Sequence, residues 1–389
     1  MTFAQPQGSN IERMTLLQLI GHELDLTETQ RETAQSRYEA VGNWIAGGAA
    51  PELELAVISP QGSIALGTAT KPIGSNEFDV DLICHLAHVT RTTQPWAVKH
   101  LVGERLRQNA GYAEMLKEKQ RCWRLNYAGE FHLDITPSIP NPECSNGGEL
   151  VPDKKLREWK PTNPKGYRAR FEQYAAIEPS FEVQFAEARK RATVEPLPQG
   201  GGKNTLQLIV QICKRHRDIH FLTRDRDLAP VSIILTTLAA WSYAHCARAK
   251  PYSSELALLI DVVMAMPLFI EHQAHDGRTY YLIPNETTSG ENFADKWNTD
   301  PRLVVAFFDW HSALLKALAD VQELRGIDQL GKSLSESFGE NIVTPAVARL
   351  TGMVTSARRG GLLSVAPGLG LTVGRDRGVA VRSNTFFGG

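Results

Sequence analysis

"QGSIALGTATKPIGSNEFDVDLICHL", residues 61–86, places a Gly-Ser turn, a Gly-Thr turn and two aspartates one residue apart in a single run. Residues i and i+2 of a β-strand project from the same face, so Asp79 and Asp81 share one face while Val80 and Leu82 anchor the other in a core. Two carboxylates side by side repel each other unless a cation stands between them. A divalent metal ion would supply that charge.

A lone D-x-D also occurs on ordinary surfaces, and its company decides the reading. Downstream, "FHLDITP" presents His132, Asp134 and Thr136 on one strand face with Leu133 and Ile135 on the other. An aspartate between apolar residues is costly if buried without a partner, and a third metal-ligating carboxylate explains it. Three carboxylates on neighbouring strands suit Mg²⁺, a hard cation that takes oxygen ligands and is completed by substrate phosphates. Two such ions clamp the attacking and leaving oxygens of an in-line phosphoryl displacement. Gln61-Gly62-Ser63 supplies the phosphate cradle, because glycine admits close backbone approach and N–H groups at a helix start, with the Ser63 hydroxyl, hold phosphate oxygens. The combination points to nucleotidyl transfer.

At 389 residues, 42% apolar and 22% charged, the chain is long enough for two lobes. The formal net charge of -1 leaves no global attraction to nucleic acid or anionic membrane, so no constitutive nucleic-acid partner is expected. Cys84, Cys122, Cys144, Cys213 and Cys246 are scattered without C-x-x-C spacing, which reads as reduced thiols in a cytoplasmic protein. The N-terminus lacks the basic and then apolar regions of a signal peptide, and no membrane span is expected, since Glu255 and Asp261 interrupt the apolar run at 253–272.

Helical spacing over 11–46 predicts an N-terminal helical brace, residues 1–50. Residues 51–165 read as a catalytic core: strands at "LELAVISP" and 79–86, a helix over 96–119, then strands at "RCWRLNYA" and "EFHLDITPSI" separated by Gly129. Pro- and Gly-rich sequence from Ile139 to Gly166 marks a boundary or surface loop. Residues 166–358 are nearly all helical in period, with Leu206, Ile209, Val210 and Cys213 on one face, and 359–389 read as a glycine-rich flexible tail. The expected fold is two-lobed α/β (α+β), a mixed-sheet catalytic lobe with a helical C-terminal lobe closing the active site.

The order QGS, GT, DVDL and then LDITP resembles the DNA polymerase β-like nucleotidyltransferases, most closely the cGAS/DncV-like group, or CD-NTases, of bacterial CBASS anti-phage signalling. "ICKRHRD", "PVSIILTTLAA" and "ENFADKW" resemble stretches of the same enzymes, so the likeness runs over roughly residues 50–300. It implies that Asp79, Asp81 and Asp134 bind two Mg²⁺ (or Mn²⁺) ions, with Asp134 also helping to activate a ribose hydroxyl. Gly62 and Ser63 become the donor-phosphate turn, with Gln61 and Thr68 close by, and Lys214 and Ser232 hold the triphosphate. The implied reaction converts nucleoside triphosphates into a cyclic di- or trinucleotide messenger for a separate effector. Glu77 with Asp79 is an alternative acid pair. A transferase acting on an RNA end or a protein, and a silent nucleotide-binding scaffold, are the rival readings.

Simpler roles stand beside these. Ser63 suits an ordinary turn, Ser232 after Pro230 a helix cap, and Lys214 with Arg215 and Arg217 a solvated helix face. Cys213, His216 and His220 lack a further pair for tetrahedral zinc, and the metal-binding cysteine cluster of the animal DNA sensor is not visible. The chain ends Phe386-Phe387-Gly388-Gly389, which resembles the CD-NTases whose C-terminus an E1/E2-like enzyme conjugates; terminal disorder is the plain alternative.

Overall fold

The computed structural model describes residues 7–74, 77–153, 157–182, 203–275, 277–324, 326–361, 363–366, 370–373 and 379–380. Within them the chain forms two compact units, a sheet unit drawn from Asp25–Gln173 and His272–Lys296 and a helical unit drawn from the remainder. The N-terminal helices α1 (Gln7–Glu23) and α2 (Glu28–Ala46) divide between them, α1 in the helical unit and α2 in the sheet unit. A capping box starts α2: the Thr27 hydroxyl accepts from Gln30 N–H at 3.2 Å and the Gln30 side chain accepts from Thr27 N–H at 2.9 Å.

The strands of the sheet unit are β1 (Val57–Gln61), β2 (Phe78–His85), β3 (Leu116–Glu118), β4 (Trp123–Tyr127), β5 (Phe131–Pro140), β6 (Glu149–Asp153) and β7 (Glu158–Thr162). They form one mixed sheet in the order β1-β2-β5-β4-β3, with β6 pairing β5 and β7 pairing β6. β2 and β5 run parallel and the other pairs are antiparallel. Alternation decides the faces: Phe78, Val80, Leu82 and Cys84 from β2 join Phe131, Leu133 and Ile135 from β5 in one buried core. Helices α3 (Gly62–Ala65), α4 (Pro95–Arg107), α5 (Ala110–Met115) and α6 (Pro164–Ala175) accompany the sheet strands in sequence. A Cβ on Gly103 of α4 would lie 2.2 Å from the Trp123 ring, so glycine is what lets α4 approach β4, and the Trp123 indole donates to Lys99 O at 2.7 Å.

Two stretches depart from the sequence reading. The helix expected through Lys119 breaks after Arg107; Asn109 caps α5, accepting from Tyr112 N–H at 3.2 Å, and Leu116–Glu118 turns extended as β3 against β4. The Pro- and Gly-rich sequence read as a loop contains the β6–β7 hairpin. Pro161 is tolerated on β7, which among the described strands pairs with β6 alone, and Pro152 lies beyond the Glu149–Leu150 stretch of β6 that pairs β5.

The helical unit contains α7 (Thr205–His220), α8 (Ser232–Ala249), α9 (Glu255–Ala265), α10 (Arg302–Glu323), α11 (Ile327–Phe338) and α12 (Glu340–Arg359). Leu206, Ile209, Val210 and Cys213 of α7 are buried as their spacing predicts. Arg226–Ala249 is apolar and long enough to cross a membrane, yet 61% of its most apolar window is buried inside the protein, as in a globular core helix. After α12 the structure corrects the expectation of an unstructured tail over part of its length: Leu363–Ala366, Gly370–Val373 and Val379–Ala380 pair antiparallel in a small sheet. Alternating Leu-Ser-Val and Leu-Thr-Val sequences favour extended chain despite the surrounding glycines.

Candidate active site

Register assembles the site. Asp81 of β2 stands opposite Asp134 of parallel β5; Gln61 of β1 is opposite Asp81, and Arg124 of β4 is opposite Asp134. Residues opposite one another in neighbouring strands point to the same face. Gln61, Asp81, Asp134 and Arg124 therefore form one row across four strands, with Asp79 and His132 paired one step away on that face. The Asp79 side chain is 56% exposed and that of Asp134 15%.

Arg124 is the member of this row that sequence reading missed. Its Nε donates to Asp134 Oδ1 at 2.7 Å and an Nη to Asp134 Oδ2 at 2.7 Å, while the same Nη reaches Asp79 Oδ1 at 3.1 Å. This fork raises the guanidinium's own proton affinity, chiefly through the hydrogen bonds to Asp134. A signal for Arg124 was present: counting five residues back from the Gly129 turn reaches Arg124, and five forward reaches Asp134. Beside them the Cys122 thiol is pushed up to about 12, first by burial and then by the charge of Asp134.

Glu77 is engaged elsewhere. Its carboxylate accepts from Gly129 N–H at 2.6 Å and lies 2.9 Å from His132 Nδ1, tying the start of β2 to the β4–β5 turn. Asp79 and Asp81, rather than Glu77 and Asp79, are the acids flanked by the Gly-Ser turn and Asp134.

The turn is built against Asp81. Gly62 has φ +61, a backbone conformation that favours glycine, and a Cβ there would lie 2.5 Å from Asp81 Oδ2. Ser63 follows at the start of α3, and Thr68 N–H donates to Ser63 O at 2.9 Å. Thr68 is itself fully buried beside that turn.

In the helical unit, Lys214 is 5% exposed on α7, not on a solvated face. Arg217, three residues on and thus on the same side of the helix, donates to Pro230 O at 2.9 Å and to Ser232 Oγ at 3.0 Å. Ser232 and Arg217 thereby form one polar cluster. Arg215 points into the helical core instead, where it donates to Phe338 O at 2.8 Å and Asn341 Oδ1 at 2.9 Å, clamping α7 to α11 and α12. His216 stacks on His220 and packs against Trp310 and Phe338, a core role. Gly389 lies outside the described residues.

Among the described residues no group of three His, Cys, Asp or Glu side chains is gathered as a ready-made metal site. The donor chemistry nevertheless fits Mg²⁺ or Mn²⁺: the acids offer only hard carboxylate oxygens from one sheet face, and two of them already share a cation, the Arg124 guanidinium.

A family model described as the Second Messenger Oligonucleotide or Dinucleotide Synthetase domain matches residues 14–174, which include the whole acid row. Over 374 residues the chain is 31% identical to the c-di-GMP synthase of Roseivirga ehrenbergii, covering 94% of each protein. It is 28% identical over 338 residues to the cyclic dinucleotide synthase CdnG of Bradyrhizobium diazoefficiens, covering 81% of this chain and 77% of that protein. The solved structure of the Bradyrhizobium diazoefficiens CD-NTase CdnG in complex with GTP matches with a TM-score of 0.65 at 22% identity, covering 87% of this chain and 99% of that one, and shares its fold.

Proposed function

The chain belongs to the CD-NTases, the cGAS/DncV-like nucleotidyltransferases, and we propose that it joins two molecules of GTP into a cyclic dinucleotide. It is a cyclic oligonucleotide synthase. Guanine is favoured because the relative that shares 31% identity over nearly the whole chain is a c-di-GMP synthase. In each round the acceptor's ribose hydroxyl oxygen bonds to the donor's α-phosphorus, the bond to pyrophosphate breaks, and a second round closes the ring.

The observation that carries the catalytic assignment is the four-strand row Gln61–Asp81–Asp134–Arg124, with Asp79 beside it. Asp79, Asp81 and Asp134 would hold two Mg²⁺ or Mn²⁺ ions, which when bound neutralise charge on the attacking and leaving oxygens. Asp134 takes the proton of the attacking hydroxyl on a carboxylate oxygen. Ser63 and the Gly62 turn hold donor phosphate oxygens, and Gln61 orients the turn next to Asp81. Lys214, Arg217 and Ser232 bind the triphosphate; a guanidinium fork and an ammonium suit phosphate oxygens. Positioning and electrostatics supply most of such catalysis. We place the reaction in the cytoplasm, in anti-phage signalling through a cyclic-nucleotide effector, with Gly389 as the point at which an E1/E2-like enzyme conjugates the chain.

The test is incubation of the purified protein with GTP alone, ATP alone and all four nucleoside triphosphates, with Mg²⁺ or Mn²⁺, followed by phosphatase treatment and mass spectrometry. A phosphatase-resistant cyclic diguanylate from GTP alone, absent from Asp79→Asn/Asp81→Asn, is expected. A cyclic product lacking guanine overturns the substrate assignment, and full activity in the double variant overturns the site.

A further inference from the structure

Arg124 and a divalent ion need the same carboxylates. The guanidinium takes both oxygens of Asp134 at 2.7 Å and one of Asp79 at 3.1 Å. Any ion drawn to Asp79 and Asp134 arrives within a few ångströms of this fixed positive charge, and two cations so close repel strongly. The Arg124 side chain is only 20% exposed, so solvent screens that repulsion incompletely. Arginine stays charged at any working pH, and its planar fork matches a carboxylate on two points where an ammonium would meet it on one.

Resting on the reading of Asp79, Asp81 and Asp134 as the metal-binding acids, we infer that Arg124 is an internal counter-cation that competes with the divalent ion for Asp79 and Asp134. With no ion bound it keeps the acids from repelling one another apart and holds Asp134 in its row. Metal entry requires the fork to leave at least one of its three contacts. The site thus exchanges one cation for another rather than filling from an uncompensated cluster of negative charge, and its metal affinity is set below what three carboxylates alone would provide.

The experiment is a Mn²⁺ titration of the full-length protein followed by the EPR signal of free Mn²⁺, with no nucleotide and no turnover. Arg124→Met is expected to bind Mn²⁺ at least about tenfold more tightly than the natural chain, because a neighbouring cation at this range opposes binding by more than a factor of ten unless screened as in bulk water. Arg124→Lys, which keeps a charge but not the fork, falls between them. Asp134→Asn binds more weakly than all three. Unchanged or weaker binding by Arg124→Met, beside weakened Asp134→Asn, overturns the competition while leaving the metal site standing. If Asp79→Asn and Asp134→Asn both bind Mn²⁺ as the natural chain does, the metal-site reading itself fails. Should Arg124→Met not fold, the ¹⁵N-labelled natural chain decides: Mg²⁺ should shift the slowly exchanging Nε–H signal of Arg124, and an unmoved signal at saturating Mg²⁺ overturns the inference.

Discussion

Replacing Gly62 by alanine probes the proposed phosphate turn and the acid row with a single methyl group. The φ of +61 at Gly62 costs an L-residue about 1–2 kcal/mol. For a structural unit of about 150–250 residues, each kcal/mol lowers the melting temperature by about 2–4 °C. The second effect is local. The added Cβ would stand 2.5 Å from Asp81 Oδ2, roughly 1 Å inside ordinary van der Waals separation, so either the turn or the carboxylate must move by about that much. A misplacement of about 1 Å at a reacting centre costs on the order of 10²-fold in rate. Gly147→Ala separates the two effects: Gly147 has φ +70, but no described atom lies within 4 Å of its would-be Cβ. Initial rates of cyclic product formation and melting curves, measured on both variants, should show a similar loss of stability but a roughly hundredfold loss of rate for Gly62→Ala alone. Equal rates for the two variants would refute the placement of the turn against a reacting carboxylate.

Arg217→Ala removes the cation held on Pro230 O and Ser232 Oγ, and hydrogen bonds to charged groups contribute about 1.5–3 kcal/mol, so the KM for GTP should rise about 10–100-fold with kcat less affected. A fall in kcat with KM unchanged would contradict a phosphate-holding role. Burial, with the charges of His220 and Arg224, pushes the His216 imidazole down to about 3 from its ordinary 6.5. Between those values the unfolded chain binds a proton that the folded chain refuses. Stability is therefore lost as pH falls through that window, at up to about 1.4 kcal/mol per pH unit. His216→Phe, joining Trp310 and Phe338, should flatten the change in urea midpoint between pH 7 and pH 5; an undiminished change would show that other groups carry the acid sensitivity.

Most of the sheet was legible because its strands carry alternation that burial enforces. Val80, Leu82 and Cys84, then Leu133 and Ile135, are buried on one face, while Asp81 and Asp134 between them fall on the other, beside a buried Ile83. The helices of the second unit were legible for the same reason at a different period, as the buried Leu206, Ile209, Val210 and Cys213 show. What escaped was structure whose signal is not periodic. The β6–β7 hairpin is short and contains Pro152 and Pro161, residues that argue against a central strand; Pro161 sits on β7, paired on one side, and Pro152 past the Glu149–Leu150 segment that pairs β5. The 96–119 helix broke where Asn109 could cap a new turn, and a propensity sum over the window cannot see such a local competition. The division of α1 from α2 between units rests on tertiary packing, to which helical period is indifferent.

Within the site, the acids and the glycine could be read from sequence because their chemistry is local: i and i+2 on one strand, and a turn residue that must adopt φ +61. Cations are harder, since a charged residue's role depends on what faces it across the fold. On α7, three basic residues within four positions have three fates: Lys214 buried, Arg215 bound to the ends of two other helices, Arg217 bound to Ser232. No feature of the tetrapeptide sequence separates them. Arg124 differs, because a hairpin turn at Gly129 carries register information over a short span and places it opposite Asp134 by counting alone. The physical requirement points the same way, for a row containing Asp81, Asp134 and the neighbouring Asp79 accumulates negative charge that folding must offset even when no ion is bound. A strand hydrogen-bonded to an acid-bearing strand and carrying arginine at the facing register is therefore a place to look for the cation that offsets a row of acids.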